Sequence, residues 1–137
     1  MGKLVPVARI LLGLVFFVFG LNGVLIFVLG MDGFIPMPEE MPEGAAAFMG
    51  GLGAAGYFFQ LLKLTETVCG ALLLVGLYVP LALVVLAPIV LNIVLYHLFL
   101  DPGGVAVGLV VLVLEIFLAW SYRGSFHGVL ARKAQPT

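Results

Sequence analysis

From Ile10 to Met31 the chain carries no charged residue. A helix of that length crosses the ~30 Å hydrocarbon core of a bilayer at ~1.5 Å per residue. The run outlasts the ~7–15 residues of a signal-peptide core, and no small-x-small cleavage site follows it. The pattern therefore predicts a retained first span at about 5–29. Polarity then rises abruptly in MDGFIPMPEEMPEG, with prolines 36, 38 and 42 and the acids Asp32, Glu39, Glu40 and Glu43. No lipid-facing helix tolerates that density of charge and helix breakers. The next segment is uncharged but holds five glycines between Gly44 and Gly56, a poor composition for a lipid-facing span. Pro42 and Glu43 suit a helix start, so a short interfacial or re-entrant helix is predicted at about 43–53. A second span follows at about 57–77.

Thr67 to Leu100 is again free of charge, too long for one helix. Tyr78-Val79-Pro80 is the natural break, because proline is welcome in the first turn of a new helix. The second span and a third at about 80–100 then form a tight antiparallel hairpin. Asp101-Pro102-Gly103-Gly104 reads as a turn, and a fourth span at about 105–122 ends near Trp120 and Tyr122, residues typical of a membrane interface. Residues 123–137 form a tail. The expected fold class is all-α: one transmembrane domain over 1–137, a four-helix bundle with a short helix between spans 1 and 2.

Composition narrows the function classes. Hydrophobic residues make up 64% of the chain and charged residues 9%, with a mean hydropathy of +1.28. A soluble domain carries charge on about a quarter of its residues. A soluble enzyme, a disordered chain and an unassisted nucleic-acid binder are excluded, leaving the lipid bilayer as the first partner. Five of the six basic residues (Lys3, Arg9, Arg123, Arg132 and Lys133) lie near the termini, and the connections at 30–56 and 101–104 hold none. Positive-inside bias puts both termini in the cytoplasm, which requires an even number of spans. The lone Cys69 excludes an internal disulfide and a multi-thiolate metal site.

Few polar residues fall at membrane depth, where they are costly and usually face a bundle interior or wet cavity. Gln60, Lys63, Glu66 and Thr67 recur at helical spacing on span two, continued by Cys69 and Gly70. Asn92 and Tyr96 share a face of span three, and Glu115 sits on span four. Counted from the outer helix ends at 1.5 Å per residue, Asn22, Asn92, Glu66 and Glu115 lie roughly 10–15 Å deep. The expectation is an outward polar pocket floored by Glu66, Asn92 and Glu115, with Lys63 as its cation and Gln60, Tyr96 and His97 nearer the rim. The bland alternative stays open: Lys63–Glu66 is also an ordinary structural ion pair, and lone histidines such as His97 are ordinary interfacial hydrogen-bonders. Two carboxylates with one lysine leave one acid without a counter-ion. Arg9, Gly13, Gly20, Asn22, Gly70 and Gly108 read as packing positions, the glycines allowing helices to approach closely. No nucleotide loop, catalytic triad order or zinc spacing occurs, so neither a catalytic residue nor a metal is assigned.

Taken together, Ala8-Arg9-Ile10-Leu11-Leu12-Gly13 with Phe16 and Gly20, Glu66-Thr67-Val68-Cys69-Gly70, and Pro88 to Pro102 with Asn92 and Tyr96-His97 resemble the DoxX-like family of small four-span bacterial membrane proteins. The resemblance covers nearly the whole chain. It implies residence in the bacterial cytoplasmic membrane and a non-catalytic accessory role in a redox-linked, quinone-associated complex, among other membrane subunits. It points to Arg9 and Glu66 as the positions that matter. Many relatives carry a lysine near the end of span one; here that neighbourhood holds Asn22. The alternative expectation is a stand-alone binder or carrier of a small lipophilic molecule. In either case the expected ligand is a non-covalent quinone or lipid, with no covalent cofactor. A third, enzymatic reading would have Glu66, Lys63 and His97 move protons to a quinone.

Overall fold

The computed structural model describes residues 2–137. It contains five α-helices: α1 Leu4–Phe27, α2 Glu43–Ala54, α3 Phe58–Val75, α4 Val79–Phe99 and α5 Val105–Ser121. Short 3-10 turns at Pro102–Gly104 and Arg123–Phe126 flank α5. Four of the helices (α1, α3, α4 and the Pro102–Ser121 stretch containing α5) are long and apolar enough to cross a membrane. The expected four-span, all-helical architecture is observed, with the short extra helix where the glycine-rich segment placed it.

The helix ends differ from the expected bounds for local reasons. α1 stops at Phe27 because Val28 and Leu29 both donate to the Val24 carbonyl and Gly30 takes a left-handed φ of 66°. α3 stops at Val75 because Gly76, at φ 76°, turns left-handed as its N–H closes onto the Leu72 carbonyl. The α3–α4 hairpin needs a second left-handed residue, Tyr78, before Pro80 opens α4. Pro88 lies inside α4 without ending it. A spanning helix carries such a proline because neighbouring helices re-satisfy the freed backbone groups.

The spans close into a ring in which α1 touches α3 and α5, and α4 touches α3 and α5. α1 and α3 run antiparallel in near backbone contact. A Cβ on Gly13 would meet the Leu74 nitrogen at 3.0 Å and the Gly70 carbonyl at 3.1 Å, and one on Gly70 would collide with the Phe17 backbone. Leu12, Phe16, Leu73, Leu83, Leu86 and Leu118 are fully buried around this contact and form the core. That core occupies the half of the bundle bearing both termini. Arg9 ties it off: its Nη1 donates to the carbonyls of Leu73 and Leu74, the latter at 3.2 Å, satisfying groups orphaned at the end of α3. Outward-facing Leu64, Val68, Leu95, Val110 and Val113 are exposed, as a lipid-bathed surface requires.

A cavity in the half of the bundle away from the termini

Away from that core the helices separate around a cavity of about 430 Å³. α1 contributes Phe16, Phe19, Asn22 and Gly23; α3 contributes Phe59, Leu62, Lys63 and Glu66; α4 contributes Asn92, Ile93, Tyr96 and His97; α5 contributes Val107 and Val111. The loop residues Ile35 to Pro38 and Phe48, Met49 and Leu52 of α2 complete it. α2 has 12 residues, too short to span, and lies over the cavity with Ala45 buried and the Phe48 ring 5.8 Å from that of Tyr96. Phe19 and Val107 line the cavity yet stay 49% and 58% exposed, so this part of its wall reaches the outer, lipid-facing surface of the bundle.

One charged pair sits in this apolar wall. Lys63 Nζ donates to Glu66 Oε2 at 3.0 Å across one turn of α3. Glu66 is buried, while the Lys63 side chain keeps 21% of its surface. Gly23 makes room for the pair: the Lys63 methylenes lie where a Cβ on Gly23 would be. A neighbouring contact serves the same approach, since a Cβ on Gly20 would meet Thr67 Oγ1 at 2.6 Å. The site thus offers a mutually neutralised ion pair, the Asn92 amide and the Tyr96 hydroxyl inside a mostly hydrocarbon wall.

The loop above the cavity is pinned by one side chain. Asn22 Oδ1 accepts N–H bonds from Phe34 at 2.7 Å and Ile35 at 3.0 Å, and Gly33 packs closely against it. Asn22 was expected as packing; it fastens the loop and also lines the cavity. His97 is engaged at the rim, with Nδ1 3.1 Å from the Asp101 carbonyl oxygen and the ring seated over Gly104.

Of the residues expected at the pocket, Lys63, Glu66, Asn92, Tyr96 and His97 come together, whereas Gln60 and Glu115 do not line the cavity. The inward face of α3 runs through Phe59, Lys63 and Glu66, with Phe59 stacked on Phe27 at 4.6 Å, which turns Gln60 away. Glu115 lies one turn beyond Val111, below the cavity, buried with Oε2 lacking a hydrogen-bond partner. A Cβ on Gly108 would be in ordinary contact, 3.6 Å from Val94 and His97, whereas one on Gly104, just before α5, would collide with the His97 ring. Gly23 and the roof residues Ile35, Met37 and Phe48 escaped the sequence reading. For Ile35 and Met37 the available signal was their apolar character between the loop acids Asp32 and Glu39. Among the described residues no group of three His, Cys, Asp or Glu side chains is placed to hold a metal ion.

The DoxX family model matches residues 4–98. The chain belongs to the DoxX family. The DoxX match takes in α1 to α3 and ends one residue before the end of α4. It is shorter than the near-complete resemblance expected, and α5 with Glu115 lies beyond it. No curated protein and no solved structure matches this DoxX chain.

Proposed function

We propose that this DoxX protein binds a small lipophilic molecule with a polar head, a quinone or a lipid, in the outward cavity, and turns over no substrate by itself. The observation that carries this reading is the mostly apolar cavity, reaching the lipid-facing surface at Phe19 and Val107, with the Lys63–Glu66 pair in its wall. Ligand sites are mostly apolar with a few placed polar groups, and a wall that reaches the lipid-facing surface suits a ligand that arrives through the bilayer. Lys63 Nζ would donate to a head-group oxygen, and Glu66, Asn92 and Tyr96 would complete its hydrogen bonding. DoxX membership favours a second element of the proposal: the protein acts as an accessory subunit of a redox-linked membrane complex. Its place would be the bacterial cytoplasmic membrane, with both termini inside.

The test is purification in gentle detergent with mass spectrometry of everything retained. The expected result is a lipophilic molecule held by the wild type and largely lost from Glu66→Gln and Lys63→Met, but not from Glu39→Gln in the exposed loop. No bound molecule, or equal retention by all variants, overturns the binding site. Co-purifying subunits support the accessory role, and a monodisperse chain that keeps its ligand argues for a stand-alone binder.

A further inference from the structure

The two ends of the bundle carry opposite charge. Lys3, Arg9, Arg123, Arg132 and Lys133 stand at the end shared by the start of α1 and the finish of α5, with no acid in 1–31 or 116–137. Asp32, Glu39, Glu40, Glu43 and Asp101 stand at the other end, with no base among them. At the basic end α5 finishes in a built arrangement rather than a loose tail. The Arg123 guanidinium lies 4.7 Å over the Trp120 ring, and its Nη1 donates to the Trp120 carbonyl at 2.9 Å. One such bond leaves most of the five N–H donors of this exposed guanidinium facing outward. Trp120 itself is 62% exposed, on the rim where the apolar spans stop.

The segment beyond is tied to the bundle by Phe126, which packs against the core and accepts the Leu130 N–H at 2.9 Å. This turn presents Val129 and Leu130 at 75% and 78% exposure, uncovered by the rest of the chain. Arg132 and Lys133 follow immediately. An apolar pair between basic residues, next to a Trp at the end of a span, is the arrangement of a segment lying in the plane of a membrane interface.

We propose that this end is a binding surface for anionic phospholipid. Arg123 on its Trp120 platform and the Arg132–Lys133 pair would engage headgroup phosphates while Val129 and Leu130 enter the acyl boundary. The occupant is the leaflet because these groups stand at the height where the four spans meet the interface, so lipid headgroups are their immediate neighbours. Charge complementarity selects anionic ones, each basic residue near such a surface adding attraction. The surface is separate from the outward cavity, and its test does not depend on what the cavity holds.

Trp120 is the only tryptophan in the chain, so its fluorescence reports this surface alone. The full-length protein would be reconstituted in vesicles with brominated acyl chains on either phosphatidylglycerol or phosphatidylcholine. The expected result is that phosphatidylglycerol competes about two- to fivefold better for the site around Trp120, less so at high salt. Arg132→Gln with Lys133→Gln, both exposed and far from the core, should remove most of that preference, and Glu39→Gln should leave it intact. Equal quenching by the two lipids, or a preference that survives the double substitution, overturns the proposal.

Discussion

The terminal half and the opposite half of the bundle use the same four helices to opposite ends. In the terminal half, Gly13 and Gly70 let α1 and α3 approach to backbone contact, and large aliphatic side chains fill what remains. In the opposite half, the Lys63 stem crosses Gly23 and aromatic residues line the cavity. Lipid is as apolar as leucine, so burial alone does not drive membrane helices together. Packing does, and where packing is given up the structure is set by a few polar contacts. The terminal half is therefore a clamp, and the opposite half a chamber it holds in place.

The largest expected effect comes from breaking the clamp. Gly70→Leu drives a side chain into the Phe17 backbone and should cost about 3 kcal/mol or more. Thermal unfolding in detergent should show a much lowered midpoint, and an unchanged one would refute backbone contact at this point. Next, Leu86→Ala should cost about 2 kcal/mol or more because Leu86 is wholly buried, whereas Leu52→Ala in the chamber roof should cost less than about 1 kcal/mol. Comparable losses at the two positions would erase the distinction between the halves.

The two buried glutamates sharpen it further. Glu66→Met strands Lys63 beside an apolar wall and should destabilise by about 2 kcal/mol, reduced from a fully buried pair because Lys63 is partly solvated. Glu115→Met removes an acceptor that has no partner and should be neutral or mildly stabilising. Reversed signs in a chemical-denaturation series would show that the counter-ion assignment is wrong. The most local effect is expected at Asn22→Ala, about 1 kcal/mol, since the Phe34 and Ile35 N–H groups lose their acceptor. Hydrogen exchange at those two amides should accelerate while the Leu73 amide stays protected. Unchanged exchange at Phe34 would mean that the loop is held by something else.

Much of the chamber could be read from the chain because each in-membrane polar residue is conspicuous against hydrocarbon. Lys63 and Glu66 are spaced to meet on one helix, and their pairing follows from local geometry alone. Gln60 and Glu115 show where that reasoning stops. Spacing placed Gln60 on the polar stripe, but the stacking of Phe59 on Phe27 decided which side of α3 faces inward. Counting residues put Glu115 at the depth of Glu66, but depth is not adjacency, and Val111 lies between it and the cavity. The role of Asn22 depends on a loop twelve residues away folding back to it, a long-range contact that no local pattern encodes.

The sequence by itself determined the membrane class, the four spans, the breaks at the proline- and glycine-rich turns and the opposite charge of the two ends. These follow from one-dimensional quantities: the length of an apolar run, the backbone limits of proline and glycine, and the expense of charge in lipid. Tertiary structure alone decided the ring order of the helices, the roofing of the chamber by α2 and the isolation of Glu115 below it. Each of these depends on which helix faces meet. In a bilayer most helix faces are apolar enough to face lipid, so shape complementarity at glycines and a few polar contacts make that choice.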